Sequence, residues 1–420
     1  MAHETLPAHS LPKAEVFAEM AQASRQDVDW RGGRLPGFYM HFASDAVEEV
    51  GMEALERFHA TNALGVGAFP SIGKFESDLV DWTLGLLHAA EGCGSVTSGG
   101  TESIFLGVKT AREWARATRG VARPNMVIPF SAHPAFDKAA KYLCIESIRV
   151  PLRDDFTADV EAMKRAVDGD TIFMCGSAPQ FTHGTIDDIA ALAAFAKSRN
   201  IWFHTDACVG GFFSPFAEML GHEVPPWDFR VEGVRSISAD LHKYGFAPKG
   251  ASTITFSDSE ARRYQVFDFD NWSRGRYVTP TFAGTRPGAN VAAAWAVMRF
   301  LGREGYCSIV ARILSIRDRL RAGIEAIPGL SLCGDPKLSV MAYSSDCLPI
   351  DRVAAGLSAH GWYTVAPSPN PPAINLGILS LAFGEKVDDY LADLGEIVAA
   401  VRAGETYAAA RVGSYGSASR

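Results

Sequence analysis

The sequence predicts an α/β protein built on a mainly parallel sheet, followed by a smaller α/β domain at the C-terminal end. Three observations predict it. Short apolar runs alternate with amphipathic stretches through the middle of the chain, the pattern of strand–helix–strand units around a parallel sheet. Of the 420 residues, 47% are hydrophobic and 21% charged, which is enough apolar material for a large core. After "RPGAN" the pattern changes to long helical stretches and then to a second, smaller set of strands and helices.

The elements follow in order. Residues 1–57 are a helical N-terminal segment in which "SDAVEEVGMEALERF" reads as an amphipathic helix with an acidic first turn. "HATNALGVGAFPSIGKFESD" reads as a loop, and "KFESDLVDWTLGLLHAA" resumes helical spacing. "NMVIPF", "SIRVPL", "TIFMCGSA", "IWFHTDA", "VRSISAD" and "ASTITFS" are strand candidates. Between them, "PAFDKAAKYL", "TADVEAMKRAV" (with Thr157 as N-cap) and "DDIAALAAFAKSRN" read as helices. A large domain is expected over 58–300 and a small one over 301–420. The latter holds two helical stretches, "LSVMAYS", a helix from about Ile350, an extended "WYTVAP", a turn at "SPNPP", "INLGILSLAF" and a last helix.

Charge and cysteine usage narrow the function classes. A net charge of -8 gives no support for general nucleic-acid or anionic-membrane binding. The seven cysteines are scattered with no C-x-x-C pair, which argues against a disulfide framework or a metal site. No signal-peptide core and no run of about eighteen apolar residues is seen. A cytoplasmic protein is expected, without a membrane segment, nucleic-acid partner or metal.

Four short stretches carry candidate chemistry. "TSGGTES" places Gly99, Gly100 and Thr101 at a helix start, where unpaired N–H groups and the helix dipole favour a phosphate; an ordinary N-cap turn fits as well. "SAHPAFDKAA" puts His133 after a strand, as a capping residue or as a flat ring over a flat ligand. "FHTDACVGGF" ends an apolar strand on Asp206, either capping a turn or pairing with a cation over the sheet edge. "SADLHKYGFAPKG" delivers Lys243 at a strand end with His242 beside it; a desolvated lysine there is an amine nucleophile. Together these are the parts pyridoxal 5'-phosphate requires: a phosphate cradle, a ring partner, an acid for the pyridine nitrogen and a lysine for the aldehyde.

The motifs "VTSGGTESI", "SAHPAFDKAAKYL", "APQFTHGTID", "HTDACVGGF", "DFRVEGVRSISADLHKYGFAPKG" and "YVTPTFAGTRPG" resemble those of the sphingosine-1-phosphate lyase family, within the type I pyridoxal-phosphate enzymes related to group II amino-acid decarboxylases. The resemblance implies the type I pyridoxal-phosphate transferase fold and a homodimer with shared active sites. It implies Lys243 as the Schiff-base lysine, Asp206 on the pyridine nitrogen and His133 on the ring. Gly99, Gly100, Thr101, His242 and Thr285 would complete the cofactor site, Thr285 within a loop reaching the neighbouring subunit. Lys249, Tyr277, Tyr415 and Asn62 would surround the substrate, an amino alcohol or amino acid.

One departure stands out. Where the family has a histidine–proline pair that helps recognise the substrate phosphate, "NALGVGAFP" has Gly65 and Val66. A family tyrosine from the preceding segment falls near Tyr39 or His41. The implied activity is an aldehyde-lyase acting in sphingolipid metabolism that cuts a 2-amino alcohol by retro-aldol chemistry: sphingosine-1-phosphate or its dihydro form if other groups recognise the phosphate, or an unphosphorylated or smaller β-hydroxy amine or amino acid if Gly65 removes that recognition. The base would be Lys243 or a tyrosine such as Tyr277. The alternative is an amino-acid decarboxylase, since both reactions need the same electron sink.

Overall fold

The computed structural model describes residues 6–36 and 41–408. Seven of the apolar runs assemble into one sheet: β1 (Cys93–Thr97), β2 (Asn125–Pro129), β3 (Glu146–Val150), β4 (Thr171–Ser177), β5 (Trp202–Asp206), β6 (Val234–Ala239) and β7 (Ser252–Phe256). Their spatial order is β1-β7-β6-β5-β4-β2-β3. Strands β6, β5, β4, β2 and β3 pair in parallel, and only β7 runs against its neighbours. Every strand except β7 therefore ends at the same edge, the edge where ligands of such sheets bind.

Both faces of the sheet are covered, which is why its strands read as continuous apolar runs. In β2, Met126 and Ile128 pack with Ile104 of α4 (Gly100–Arg119) and Phe136 of α5 (Ala135–Leu143). The intervening Val127 joins the opposite cluster, with Met163 of α6 (Val160–Ala166) and Leu192 of α7 (Ile189–Ser198). The period-2 alternation of the strand divides the core into two layers.

The N-terminal part contains α1 (Lys13–Ala23), α2 (Asp45–Phe58) and α3 (Pro70–Leu86), with α2 capped by the Ser44 hydroxyl. Helix α1 buries none of its residues and exposes Val16, Phe17 and Met20. A short α8 (Ser214–Met219) follows β5, and α9 (Arg262–Gln265) leads to a hairpin of β8 (Phe267–Phe269) and β9 (Tyr277–Thr279). The long α10 (Gly288–Ala326) packs on α2 and α3 and carries a backbone break at Gly302. Beyond it, β10 (Ser331–Leu332), β11 (Val340–Ser344), β12 (Ser368–Pro369) and β13 (Pro372–Ile378) form an antiparallel sheet, with helices α11 (Ile350–Ala359), α12 (Leu381–Gly384) and α13 (Val387–Arg402).

The fold class is as the sequence predicts, and several local readings are corrected. Strand β1 carries no strand signal in the sequence, because its five residues include a glycine and two small polar residues. Helix α3 starts at Pro70, inside the expected loop, because proline suits the first helical turn. The N-cap of α6 is Asp159, whose carboxylate accepts the Ala162 N–H at 2.9 Å, and not Thr157, which is tied to Asp155 instead. "WYTVAP" is non-helical with a β-bridge at Val365, and the strand Ser368–Pro369 follows it; Trp362 is buried.

Candidate active site

The strand ends converge on a cavity of about 320 Å³ lined by Gly99, Gly100, Thr101, His133, Asp206, His242 and Lys243, together with Ser131, Ser177, Cys208 and Asp240. All seven of the first group were singled out from sequence, from four segments separated by up to 144 positions (243 − 99). Parallel β strands account for this. Each delivers its next loop to the same edge, so residues distant in sequence become neighbours.

Each side chain is held locally. Asp206 ends β5; its Oδ1 accepts the Cys208 N–H at 3.0 Å and the Ser238 hydroxyl at 3.1 Å, which fixes the carboxylate. His133 Nδ1 accepts the Ala135 N–H at 3.1 Å, so a neutral ring carries its proton on Nε2. Burial pushes His133 below the ordinary histidine range despite Asp206 nearby, which keeps the ring neutral at pH 7. Burial likewise takes His242 down to about 4, against the pull of Asp240. Lys243 Nζ donates to Asp240 Oδ2 at 2.8 Å, with the two side chains 19% and 2% exposed.

The cradle at the start of α4 tolerates no side chain. A Cβ on Gly100 would stand 2.8 Å from Cys208 Sγ and 2.9 Å from both Asp240 carboxylate oxygens. Glycine there lets α4 begin tight against Asp240 and Cys208, and the amino end of α4, an anion-favouring position, lines the cavity through Gly100, Thr101 and Glu102. Such a cradle, an amine, a fixed carboxylate and a neutral ring in one cavity fit pyridoxal phosphate.

The remaining predicted residues lie elsewhere. Lys249 lines a second cavity, of about 200 Å³, with His41, Trp30 and Phe42; His242 lines both cavities. Lys249 Nζ donates to the His242 carbonyl at 3.1 Å, and burial, reinforced by Lys243, takes it down to about 8. Tyr277 sits on β9 with its hydroxyl against Gly284, and Thr285 is exposed; neither lines either cavity. Asn62 accepts the Leu64 N–H and bridges to Pro287. Gly65 has open space, with nothing within 4 Å of a Cβ. Tyr39 and Tyr415 lie outside the described residues. Among the described residues no cluster that could hold a metal ion is present, and no helix is long and apolar enough to cross a membrane.

Sequence reasoning missed Asp240. It lies three residues before Lys243 at the end of an apolar strand, the same signal that picked out Asp206. It also left His41 as one of two options. The structure buries this ring against Tyr244, with a centroid separation of 5.7 Å, and gives neither ring nitrogen a hydrogen-bond partner among the described residues.

Comparison with known proteins agrees with this geometry. The pyridoxal-dependent decarboxylase conserved-domain model matches residues 38–345. The sphingosine-1-phosphate lyase of Arabidopsis thaliana is 43% identical over 407 residues, covering 95% of this chain and 74% of that protein. A solved sphingosine-1-phosphate lyase from Burkholderia pseudomallei is 35% identical and superposes with a TM-score of 0.91, over 96% of this chain and 94% of that one. The L-aspartate decarboxylase of Thermococcus kodakarensis is 31% identical, covering 93% of this chain and 98% of that protein.

Proposed function

Because this chain belongs to the pyridoxal-dependent decarboxylase family, among the sphingosine-1-phosphate lyases, we propose that it cleaves the C–C bond between the amine-bearing and hydroxyl-bearing carbons of a 2-amino alcohol. It is a pyridoxal-phosphate-dependent lyase. The observation that carries the reading is the meeting of Lys243, Asp206, His133 and the Gly99–Thr101 turn around one cavity.

Pyridoxal phosphate, when bound, supplies a carbonyl that takes an amine and a ring that draws electrons from the bond to be broken. Lys243 holds the amine for that carbonyl. Asp206, fixed by two donors, would pair with the ring nitrogen and hold its proton; at ~3 Å and an effective dielectric of ~20 such a pair is worth a gross ~5 kcal/mol before desolvation. The neutral His133 ring offers a flat face for stacking. Gly99, Gly100 and Thr101 would hold the cofactor phosphate, with His242 alongside. Lys249 faces the anionic end of the substrate from the second cavity. Lys243 or Tyr277 would take the hydroxyl proton.

A homodimer with shared sites completes the proposal. Its support is apolar surface left exposed among the described residues: Val16, Phe17 and Met20 on α1, and Phe267, Phe269, Trp272 and Phe282 around the β8–β9 hairpin. Tyr277, Thr285 and Asn62 would then act across the interface. We further propose three units, 1–57, 58–300 and 301–420, and a cytoplasmic role in sphingolipid breakdown.

Sphingosine-1-phosphate or its dihydro form is the first substrate to test. The change to Gly65 points equally to an unphosphorylated or smaller β-hydroxy amine. The second reading, amino-acid decarboxylation, is favoured by the likeness to L-aspartate decarboxylase. A panel of phosphorylated amino alcohols, free amino alcohols and amino acids, assayed for aldehyde and for carbon dioxide, separates them. Aldehyde from an amino alcohol supports the lyase reading; carbon dioxide without aldehyde overturns it.

A further inference from the structure

Asp240 brings a second carboxylate into the cavity, and its two oxygens have different surroundings. Oδ2 accepts from Lys243 Nζ at 2.8 Å and lies 3.7 Å from His242 Nε2. Oδ1 is buried with no well-formed hydrogen bond among the described residues; the neighbouring Ser252 hydroxyl is directed to the Ala239 carbonyl at 3.2 Å. Both oxygens stand 2.9 Å from the Cβ position of Gly100 and are, with Cys208 Sγ, the atoms nearest to it. One carboxylate therefore pairs with the lysine and occupies the space where a side chain on the first residue of α4 would stand.

Burial alone would pull the Lys243 ammonium down. Asp240, aided by Cys208 and Asp206, more than offsets burial and holds Lys243 above the ordinary lysine range. An amine locked as ammonium has no lone pair for a carbonyl carbon. The groups around the pair are Asp206 and Cys208 from the end of β5, His133 before α5, and His242 and Lys249 after β6, with His41 behind them. Asp240 Oδ2 is the oxygen paired with Nζ, at 2.8 Å.

We propose that Asp240 is the proton acceptor for Lys243, and that a phosphate-class anion settling at the amino end of α4 drives the transfer. The inference rests on the reading of this cavity as a pyridoxal-phosphate site. At the Cβ position of Gly100 the two carboxylate oxygens are among the three nearest atoms and Nζ is not, so an anion settling on that side would raise the proton affinity of Asp240 more than it steadies the ammonium. One Lys243 N–H bond breaks and one Asp240 O–H bond forms. The N–H electron pair stays on Nζ as the lone pair of a neutral amine, and nothing else is consumed.

The test uses the full chain stripped of cofactor, pyridoxal without its phosphate, and inorganic phosphate as the anion. Borohydride fixes any pyridoxyl group on Lys243, and peptide mass spectrometry counts it. At pH 7, inorganic phosphate is expected to speed labelling of wild type at least tenfold over chloride at equal ionic strength. Asp240→Asn is expected to label at the faster rate without phosphate and to lose the response, and Asp240→Glu to regain it. A wild type indifferent to phosphate, or an Asp240→Asn chain that keeps the acceleration, overturns the proposal. Should circular dichroism show Asp240→Asn unfolded, the wild-type arm decides alone. Failure of the cofactor reading is distinct: pyridoxal phosphate itself would then not attach to Lys243.

Discussion

Gly100→Ala is the smallest change that reaches the centre of the site. Its added methyl would stand 2.8 Å from Cys208 Sγ and 2.9 Å from each Asp240 oxygen, where non-bonded carbon contacts settle at about 3.5–4.0 Å. The overlap is thus roughly 0.6–1.2 Å with three atoms at once. None can swing away freely: Cys208 is 7% exposed and Asp240 is 2% exposed and tied to Lys243. Overpacking of this kind costs about 1–3 kcal/mol. If that strain is relieved by displacing Asp240 and the cradle, cofactor affinity falls about 5- to 150-fold. Titration of the stripped protein with pyridoxal phosphate, followed by absorbance, measures it. Cys208→Ala in the same chain should recover part of the loss, because it removes only the sulfur clash. Gly65→Ala, with nothing within 4 Å, should bind like wild type. Cofactor affinity for Gly100→Ala within twofold of wild type, with an unchanged melting temperature, would refute the cradle argument.

Four further outcomes follow from the same geometry. Lys243→Ala should lose the visible absorbance of bound cofactor and melt lower, because removing one partner of a buried ion pair costs ~3–5 kcal/mol; adding Asp240→Asn should restore most of the melting temperature. Lys249 is charged below about 8 and neutral above it, so kcat/KM for an anionic substrate should fall as pH rises through that value. Lys249→Arg should hold its rate to higher pH, and a wild-type profile flat from pH 7 to 9 would remove Lys249 from anion recognition. Gly65→His should raise turnover of phosphorylated substrates only, read from the same aldehyde assay; equal effects on both classes would remove position 65 from phosphate recognition. Asp187 accepts the Ser177 and Ala158 N–H groups at 2.8 Å each. Asp187→Asn can serve only one of them and should lose about 1–3 kcal/mol, seen as a lower melting temperature.

How much was legible in the sequence depended on whether a signal was local. Lys243 and Asp206 each stand where an apolar strand meets a glycine-containing turn, and parallel pairing turns that local mark into a shared edge. The same logic applies to Asp240, yet in "SADLHKYG" the acid reads as part of the loop until its 2.8 Å contact with Lys243 is known. Strand β1 carries too few apolar residues to announce itself, and it forms because β7 pairs with all five of its positions. The burial of His41 against Tyr244 joins segments some 200 positions apart (244 − 41), and no spacing rule encodes that contact. Tyr277 and Thr285 carry no local mark at all; only the family resemblance brought them forward, and within one chain they stay outside both cavities.

Product analysis with dihydrosphingosine-1-phosphate tests the central claim most directly. The holoenzyme is expected to release a long-chain aldehyde and the phosphorylated two-carbon amine in equal amounts, and Lys243→Ala to release neither. Carbon dioxide from an amino acid, with no aldehyde from any amino alcohol, would contradict the account.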